Sequence, residues 1–598
     1  MDTSLTFKPT ERQFDLAAWL TVERLAYGLI ALAAATLRVV GLGWWPLGPA
    51  EAWQALPGLA AARGQLYDLT GVSPLLFTAQ RLLFALFGAD EVSARMAAAL
   101  LGGLSVLCFY ALRDRLTRGG ALAAAVLWAA SPLAVFTARQ GVGDGLVPSL
   151  ALALLAAVNL AMRSLQQSRF GADRAARGAT WPAIAAGVAG LLLAAGPAAY
   201  TVVAIGAVAA IYWRTDLAEL WRVARRAWRA LAIAFAATFA FGATCFFLSP
   251  DGLAAAADLL GSWLVGLAPA AGEYGAWDIV RRLLISEPLV LGFGMAGFIL
   301  ALRRDEPFGR FIGSAAGIAL LAAVVGQGRH PMALGLVVLG LVILAGPVVA
   351  ATLRRLPGWR GQADPWLLFA LELVLIATAA QCVPGALNPT NRADWVQLYA
   401  VLGVITFTLA ALLWLIYGAF GSWQVVAEAL PAVLLVVGLA WSVNQLSGIN
   451  YDRGAGRRAA VLVLTPDAGS LADLRAALRD LAALKGAGAR EARLDLMLEE
   501  RLARTVTPLL RWELRDLPNL RVVNAAAADR PPLAITAADA TAAPGPTYSG
   551  AEFAVLRWWR PESLSGVEAW VRWLIYREAR GPDVTQNVVL WVDRATAQ

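Results

Sequence analysis

The sequence predicts a polytopic helical membrane protein that carries a water-soluble α/β domain after its last span. Of the 598 residues, 59% are hydrophobic and 15% are charged, and the mean hydropathy is +0.61. So large an apolar fraction cannot be buried in one globular core, so lipid must be the solvent for much of the chain. About thirteen long apolar stretches, and a change to soluble composition after Leu446, complete the prediction.

Most of the apolar stretches reach the roughly 17–25 residues that a spanning helix needs. They lie near residues 25–44, 93–112, 119–136, 145–162, 181–196, 198–213, 230–249, 286–302, 310–326, 332–351, 366–385, 397–418 and 423–445. The two short stretches beside Gly196-Pro197 are predicted to form a hairpin, because arginines precede the first and follow the second.

Arginine asymmetry between short loops predicts the orientation. Lys8 and Arg12 place residues 1–24 in the cytoplasm, and thirteen crossings then place residues 447–598 outside the cell membrane. Residues 25–446 form the membrane domain, whose segments 45–92 and 250–285 are read as outer loops with interfacial or re-entrant helices. The predicted inner loops carry Arg113, Arg115, Arg118, Arg163, Arg169, Arg174, Arg177, Arg214, Arg222, Arg225, Arg226, Arg229, Arg303, Arg304, Arg310, Arg354, Arg355 and Arg360.

Alternating strand and helix patterns predict a small α/β fold for the C-terminal domain. Predicted strands are Ala460–Leu464, Arg521–Asn524, Leu533–Thr536, Phe553–Trp559 and Val588–Val592, with the first and last in one sheet. Predicted helices are Leu471–Leu484, Glu491–Asp516 and Val567–Tyr576. The first loop has no glycine-rich phosphate fingerprint, so no nucleotide site is predicted.

Composition argues against several function classes. The net charge of +8 reflects arginines in short loops rather than a nucleic-acid surface, so no nucleic-acid partner is expected. The three cysteines have no CxxC spacing and the chain has one histidine, so neither a disulfide framework nor a metal site is indicated. No cofactor is predicted.

Polar residues at or near the membrane are the first candidates for function. Arg38 lies near the outer end of the first span, where it either snorkels to the interface or contacts a lipid phosphate. Arg329 and His330 lie in the outer loop Gly326–Pro331, which is either an ordinary polar turn or a cationic anchor for a lipid-linked phosphate.

Acidic residues of the first two outer loops suggest chemistry. Glu51 follows a Pro-Leu-Gly-Pro turn, and Asp144 follows Thr137-Ala138-Arg139. If the loops fold together, a carboxylate and Arg139 would face one outer cavity. A carboxylate can accept a proton from an acceptor hydroxyl, and an arginine can neutralise a leaving phosphate. The alternative is that these charges are structural.

The order of motifs in the first 165 residues resembles the GT-C superfamily of membrane glycosyltransferases, which includes protein mannosyltransferases and aminoarabinose transferases. The motifs are Leu37-Arg38-Val39-Val40-Gly41-Leu42-Gly43, the acidic loop at Glu51, Ser73-Pro74-Leu75-Leu76, Ser93-Ala94-Arg95-Met96, Ser131-Pro132 and Thr137-Ala138-Arg139 with Asp144. Motifs near Arg329, in Leu464–Asp467, in Arg511–Asn519 and in Leu556–Trp559 resemble the flippase-activity-associated GT-C-like family of archaea and some bacteria.

The resemblance implies a polyprenyl-phosphate-linked sugar as donor, transfer on the outer face, and an acidic first-loop residue as base. Glu51 is then the candidate base, Asp144 a second catalytic carboxylate, and Arg38, Arg139, Arg329 and His330 donor phosphate contacts. The sequence departs from the family pattern at Ala50-Glu51, where the family has Asp-Glu.

Three functions follow from this reading of the sequence. The first is a glycosyltransferase acting on an unknown glycan, lipid or protein acceptor, and the second is a non-catalytic binder of lipid-linked sugars or a flippase-associated protein. The third is a secondary transporter, although no internal repeat of the kind that transporters carry is evident.

Overall fold

A helical membrane part and a small mixed sheet make up the structure, a computed structural model, and the predicted fold class is confirmed. The structure describes residues 21–168, 180–213, 218, 221–222, 225, 227–268, 275–326, 331–359, 362–387, 392–452, 465–466, 468–486, 494–498, 506–516, 520–524, 532–538, 545–559, 564–576 and 584–594.

The described helices of the membrane part follow the predicted apolar stretches, with two further helices in each predicted outer loop. Apart from two helices of four residues each, Cys108–Ala111 and Arg113–Leu116, they are α1 (Val22–Val39), α2 (Pro49–Ala62), α3 (Pro74–Phe87), α4 (Glu91–Leu104), α5 (Arg118–Ala130), α6 (Pro132–Ala138), α7 (Val147–Ser168), α8 (Thr180–Leu193), α9 (Ala198–Tyr212), α10 (Trp228–Ala243), α11 (Asp251–Gly266), α12 (Ala276–Ser286), α13 (Pro288–Arg303), α14 (Pro307–Val325), α15 (Leu334–Arg355), α16 (Ala363–Leu387), α17 (Ala393–Ile416) and α18 (Trp423–Asn450).

Seven helical segments of the described chain are long and apolar enough to cross a membrane, or nine if each of two bent pairs is one span. The chain is therefore a multi-pass membrane protein. The helices α8, α9 and α10 are only 14, 15 and 16 residues long, so the number thirteen stays a prediction. The orientation of the termini also stays a prediction.

Helix α15 is the centre of the membrane part. Every residue from Leu334 to Gly346 is buried. Its close contact with α13 depends on small residues, because a Cβ at Gly297 would lie 2.2 Å from the Leu344 carbonyl oxygen. Small residues let helix backbones approach closely where lipid offers no hydrophobic driving force for association.

Two helix breaks are tied to each other inside the membrane part. The pair α5 and α6 bends by 61° at Ser131, and the pair α12 and α13 bends by 95° at Glu287. Glu287 is fully buried and its Oε1 accepts hydrogen bonds from Ser131 Oγ at 2.5 Å and from the Leu133 amide at 2.8 Å. The carboxylate therefore caps the N-terminus of α6 and fixes one bend against the other.

The C-terminal domain contains a mixed sheet and helices. Its described elements are β1 (Thr465–Pro466), α19 (Ala468–Gly486), β2 (Leu494–Leu498), α20 (Val506–Glu513), β3 (Leu520–Asn524), β4 (Leu533–Ala537), β5 (Tyr548–Trp558), α21 (Gly566–Tyr576) and β6 (Val584–Asp593). The order of the strands in the sheet is β1-β5-β6-β4-β2-β3. Strand β2 is parallel to β3 and β4, whereas the other pairs are antiparallel.

The predicted helix Glu491–Asp516 is wrong in its first half, where β2 lies. Leu494, Leu496 and Leu498 alternate with other residues, which is the period of a strand. All three are paired with β3, and Leu496 and Leu498 are also paired with β4. The predicted strand Ala460–Leu464 lies outside the described residues, so its place in the sheet stays a prediction.

Candidate active site

Glu51 lies in the first turn of α2 and forms a buried, bidentate ion pair with Arg95 of α4. Arg95 Nε donates to Glu51 Oε1 at 2.7 Å, and Arg95 Nη2 donates to Oε2 at 2.6 Å. The amides of Gly48 and Gly141 donate to the same two oxygens, at 2.9 Å and 2.7 Å. Glu51 is only 4% exposed, so these partners replace water around the carboxylate. The hydrogen bond to Gly141 joins the first outer loop to the loop that carries Asp144.

The environment of Glu51 favours its ionised form. Burial raises the pKa of Glu51, but the charge and hydrogen bonds of Arg95, with the amides of Gly141 and Gly48, outweigh burial and hold the pKa below its ordinary value. A carboxylate whose pKa is depressed, and whose oxygens already accept these hydrogen bonds, is a weak base at neutral pH.

Arg139 binds the C-terminal end of α1. Its Nη1 donates to the carbonyl oxygens of Leu37, Arg38 and Val40, the last at 2.6 Å, and its Nη2 donates to Gly41 at 3.1 Å. The guanidinium therefore neutralises the partial negative charge of orphan carbonyls at a helix end. This contact fixes the start of the 139–144 loop on α1.

Arg38, in the last turn of α1, binds the C-terminal end of α5 in the way that Arg139 binds the end of α1. It is fully buried, and it donates to the carbonyl oxygens of Ala34, Ala129 and Trp128 at 3.1, 3.2 and 3.1 Å. It thus binds carbonyls freed by the break at Ser131. In the described residues the Nη1 and Nη2 groups of both arginines donate to the protein backbone, whereas Arg38 Nε has no hydrogen-bond partner there. The predicted phosphate contacts of both arginines stay predictions.

Asp144 lines a cavity. Its Oδ1 accepts a hydrogen bond at 3.0 Å from the Ala198 amide, at the start of α9. Gly196 is needed beside it, since a Cβ there would lie 2.5 Å from Asp144 Oδ1. The cavity, of about 230 Å³, lies between α9, α11, α14 and α15. Its other polar wall residues are Thr201, Ser262 and Trp263.

A second, apolar cavity of about 180 Å³, called the chamber below, lies between α7, α9, α14 and α15. Three of these helices, α9, α14 and α15, also border the Asp144 cavity. The chamber shares Leu336 with the Asp144 cavity, and Val202 of the chamber follows Thr201 of the cavity directly in sequence. The chamber wall is formed by Ala151, Leu154, Leu155, Val158, Val202, Ile205, Gly206, Ala209, Trp213, Phe311, Ile312, Ala315, Ala316, Leu336, Leu339, Gly340 and Ile343. The two cavities are therefore neighbours along α9, α14 and α15, one of them containing a carboxylate and the other having an almost entirely apolar wall.

Arg329 and His330 lie outside the described residues. The described neighbours Gly326 and Ala333 are both part of the Asp144 cavity wall. Within the described ranges, no group of three or more His, Cys, Asp or Glu side chains could hold a metal ion.

The sequence predicts that the first two outer loops fold together and that a carboxylate and Arg139 face one outer cavity. The first and second outer loops do fold together, through the hydrogen bond between Glu51 and the Gly141 amide. Glu51 and Arg139 face protein partners, and neither is part of the Asp144 cavity wall. Ala50, the position at which the sequence departs from the family pattern, is exposed.

Sequence reasoning missed the roles of Arg95 and Glu287. Arg95 was noticed only as part of a motif, although a basic residue within an apolar helix needs a partner of opposite charge. Glu287 precedes Pro288 at the start of an apolar stretch, which indicates a helix start at that position. Nothing in the local sequence indicates that its carboxylate caps α6 instead, since Ser131 lies 156 residues away.

Comparison with known proteins gives one family match and several structural matches. The family model for dolichyl-phosphate-mannose-protein mannosyltransferase matches residues 72–212, which include α3 to α9 and Asp144. No curated protein matches the chain. The crystal structure of ArnT from Cupriavidus metallidurans in the apo state has 16% identity and a TM-score of 0.52, covering 96% of this chain and 98% of that one.

The same ArnT bound to undecaprenyl phosphate has 15% identity and a TM-score of 0.50, covering 98% of this chain and 99% of that one. At such identities the likeness concerns the fold, and it extends over both the membrane part and the C-terminal domain. The narrower resemblance to the flippase-activity-associated family stays a prediction.

Proposed function

We propose that this chain, a member of the GT-C superfamily by its fold and its family-model match, transfers a sugar from a polyprenyl-phosphate carrier to an acceptor at the outer face of the membrane. The observation that carries the proposal is that the cavity of Asp144 and the apolar chamber are neighbours along the same helices and share Leu336. A substrate with a charged head and an isoprenoid tail matches a polar cavity beside an apolar one.

The apolar chamber would take the isoprenoid chain. Its wall has no charged or hydrogen-bonding side chain apart from the indole of Trp213. An isoprenoid chain that enters therefore gains apolar contacts and leaves almost no polar group of the wall without water. The sugar and phosphate would then lie in the Asp144 cavity, whose wall carries Thr201, Ser262 and Trp263. Trp263 Nε1 donates to Thr201 Oγ1 at 3.0 Å, which holds the indole ring at the cavity wall.

Asp144 is the proposed base. The acceptor oxygen attacks the anomeric carbon of the donor while its proton moves to the Asp144 carboxylate. The bond between the anomeric carbon and the phosphate oxygen breaks, and the polyprenyl phosphate leaves with the bonding electrons. Direct displacement inverts the anomeric configuration, because no carboxylate nucleophile forms a covalent intermediate.

Glu51 would position this base. Glu51 accepts a hydrogen bond from the amide of Gly141, which comes three residues before Asp144 in the 139–144 loop. Arg139, at the start of this loop, binds the end of α1. The sequence prediction is that Glu51 is itself the base. The variant Glu51→Gln, which removes the charge and preserves the shape of the side chain, tests this prediction in the same transfer assay as the Asp144 variant.

A non-catalytic binder of lipid-linked sugars is the second candidate. The observation that favours it is Ala50, which is exposed where the family pattern has an aspartate, beside a Glu51 that is already paired with Arg95. No contact in the described parts of the chain favours the transporter alternative.

The test is transfer of a labelled sugar from polyprenyl phosphate to membrane-derived acceptors by protein reconstituted in liposomes. We expect Asp144→Asn to lower turnover by about 10²-fold or more, because the amide cannot accept the proton. Asp68→Asn is the matched control, since Asp68 lies exposed in the first outer loop, where its carboxylate accepts hydrogen bonds from the amide and the hydroxyl of Thr70. Normal transfer by Asp144→Asn would refute the base assignment, and donor binding without transfer by the wild type would favour the binder.

A further inference from the structure

Helix α20 of the C-terminal domain is inserted against the first outer loop. Trp512 is fully buried in an apolar cluster with Ala52 and Ala55 of α2, Phe84 of α3 and Ala94 of α4. The rings of Trp512 and Phe84 lie 5.9 Å apart between centroids. One side chain of the C-terminal domain therefore lies in a single cluster with residues of α2, which carries Glu51, of α3, and of α4, which carries Arg95.

Polar contacts at the same junction involve Glu91, the first residue of α4. Its Oε1 accepts from Trp512 Nε1 at 3.0 Å and from Arg515 Nη2 at 3.2 Å. The Arg515 guanidinium lies over the Trp512 ring at 4.3 Å, and Arg63 Nη1 donates to the Arg515 carbonyl oxygen at 3.1 Å. Aromatic packing, an ion pair and backbone contacts therefore coincide within one short segment.

The junction is one helical turn from the Glu51 pair. Glu91 and Arg95 are four residues apart on α4, so they lie on the same face of the helix. Ala52 and Ala55 follow Glu51 on α2, and Ala94 precedes Arg95 on α4. Both partners of the ion pair are thus carried by helices that Trp512 holds together.

We propose that Trp512 is a positioning residue, through which the C-terminal domain sets the distance between α2 and α4 and so the geometry of Glu51, Arg95 and the 139–144 loop. Part of the inference rests on the proposed function, because only a transferase or a lipid-sugar binder would make the position of Asp144 matter. The mechanical link itself is independent of any reaction.

The amides of Gly48 and Gly141 report on this link directly, because each donates a hydrogen bond to Glu51. Hydrogen–deuterium exchange of peptides that contain these amides is measured on the full-length protein in lipid nanodiscs. We expect Trp512→Ala to accelerate exchange at both amides by about tenfold or more, while exchange in β5 and β6 stays unchanged.

Two milder variants keep the test valid if Trp512→Ala does not fold. Trp512→Phe keeps an aromatic ring but loses the donor to Glu91, and Glu91→Gln removes the charge that Arg515 contacts; each should accelerate exchange at Gly141 by about threefold. Trp591→Phe is the matched control, because Trp591 Nε1 donates at 2.9 Å to Thr536 Oγ1 inside the C-terminal sheet. It should leave both glycine amides unchanged.

Two results would overturn the inference. In the first, exchange rises in α20 while Gly48 and Gly141 stay protected, so that the domain undocks without moving Glu51. In the second, Trp591→Phe has the same effect as Trp512→Phe. Failure of the proposed function is recognised separately, as absence of transfer by the wild type. Where transfer occurs, Trp512→Phe should lower kcat and leave the KM for the donor within about twofold, because the chamber lies on other helices.

Discussion

Removing Arg95 should reveal how strongly the outer loops depend on one ion pair. Arg95 donates two hydrogen bonds to Glu51 and three more to the carbonyl oxygens of Leu42, Trp45 and Pro46, at 2.8, 2.9 and 3.0 Å. In Arg95→Met the buried Glu51 carboxylate loses its counter-charge. Removal of one partner of a buried pair costs about 3–5 kcal/mol, most of it from the charge that is left behind.

A double-mutant cycle separates that charge from the lost packing. Arg95→Met combined with Glu51→Gln has no uncompensated charge, and the amide oxygen can still accept from Gly141. We therefore expect the double variant to recover about 2 kcal/mol or more relative to Arg95→Met. The free energy of unfolding is measured by reversible denaturation in mixed micelles.

The control is Arg163→Met, which breaks the ion pair with Asp114 at a half-exposed site and should cost about 0–1 kcal/mol. The reasoning would be refuted if Arg95→Met cost no more than this control, or if the double variant were as unstable as the sum of the two single changes. Since the folded pKa of Glu51 is depressed, wild-type stability should be full above the unfolded pKa of about 4.5 and should fall as the pH drops through the folded value.

Three further outcomes are expected. Burial and the nearby Glu91 raise the pKa of Glu513, so docking of the C-terminal domain should weaken as the pH rises from about 4.5, and Glu513→Gln should flatten the profile of Tm against pH. Gly206→Leu should weaken polyprenyl-phosphate binding by about tenfold in a direct binding assay, because Gly206 is part of the chamber wall and a Cβ there would meet no atom within 4 Å, which leaves room for the larger side chain to occupy space at the chamber. Gly28→Leu, at an equally exposed position that is not part of the chamber wall, should not. Protease added to intact cells should remove the region after Leu446.

The fold could be predicted from the sequence because lipid imposes strict length and polarity rules on helices. Each apolar stretch became a helix or a bent pair, and the family model that matches residues 72–212 overlaps the motifs on which the resemblance rests. The strand Leu494–Leu498 was missed because a five-residue apolar alternation inside a charged, helix-favouring stretch is a weak local signal that pairing with β3 and β4 overrides.

The candidate site was less accessible to sequence reasoning. Arg38 and Arg139 look like phosphate ligands in a linear motif, but which acceptor a guanidinium contacts depends on which helix ends lie nearby. Apart from the amide of Gly48, the partners of Glu51 come from residues 44 and 90 positions away, and no local pattern specifies these two. Asp144 differs because the chain reversal at Gly196 brings α9 against it.

The most direct test of the account is to find where the lipid carrier binds. A polyprenyl phosphate with a diazirine in its isoprenoid chain is added to the full-length protein in nanodiscs, and the crosslinked peptides are identified by mass spectrometry. We predict crosslinks on the chamber-facing parts of α9 and α14, around Ile205 and Ile312, which excess unlabelled polyprenyl phosphate suppresses. Crosslinks confined to the lipid-exposed helices α16 and α17, and unaffected by competitor, would contradict the assignment of the chamber as the donor site.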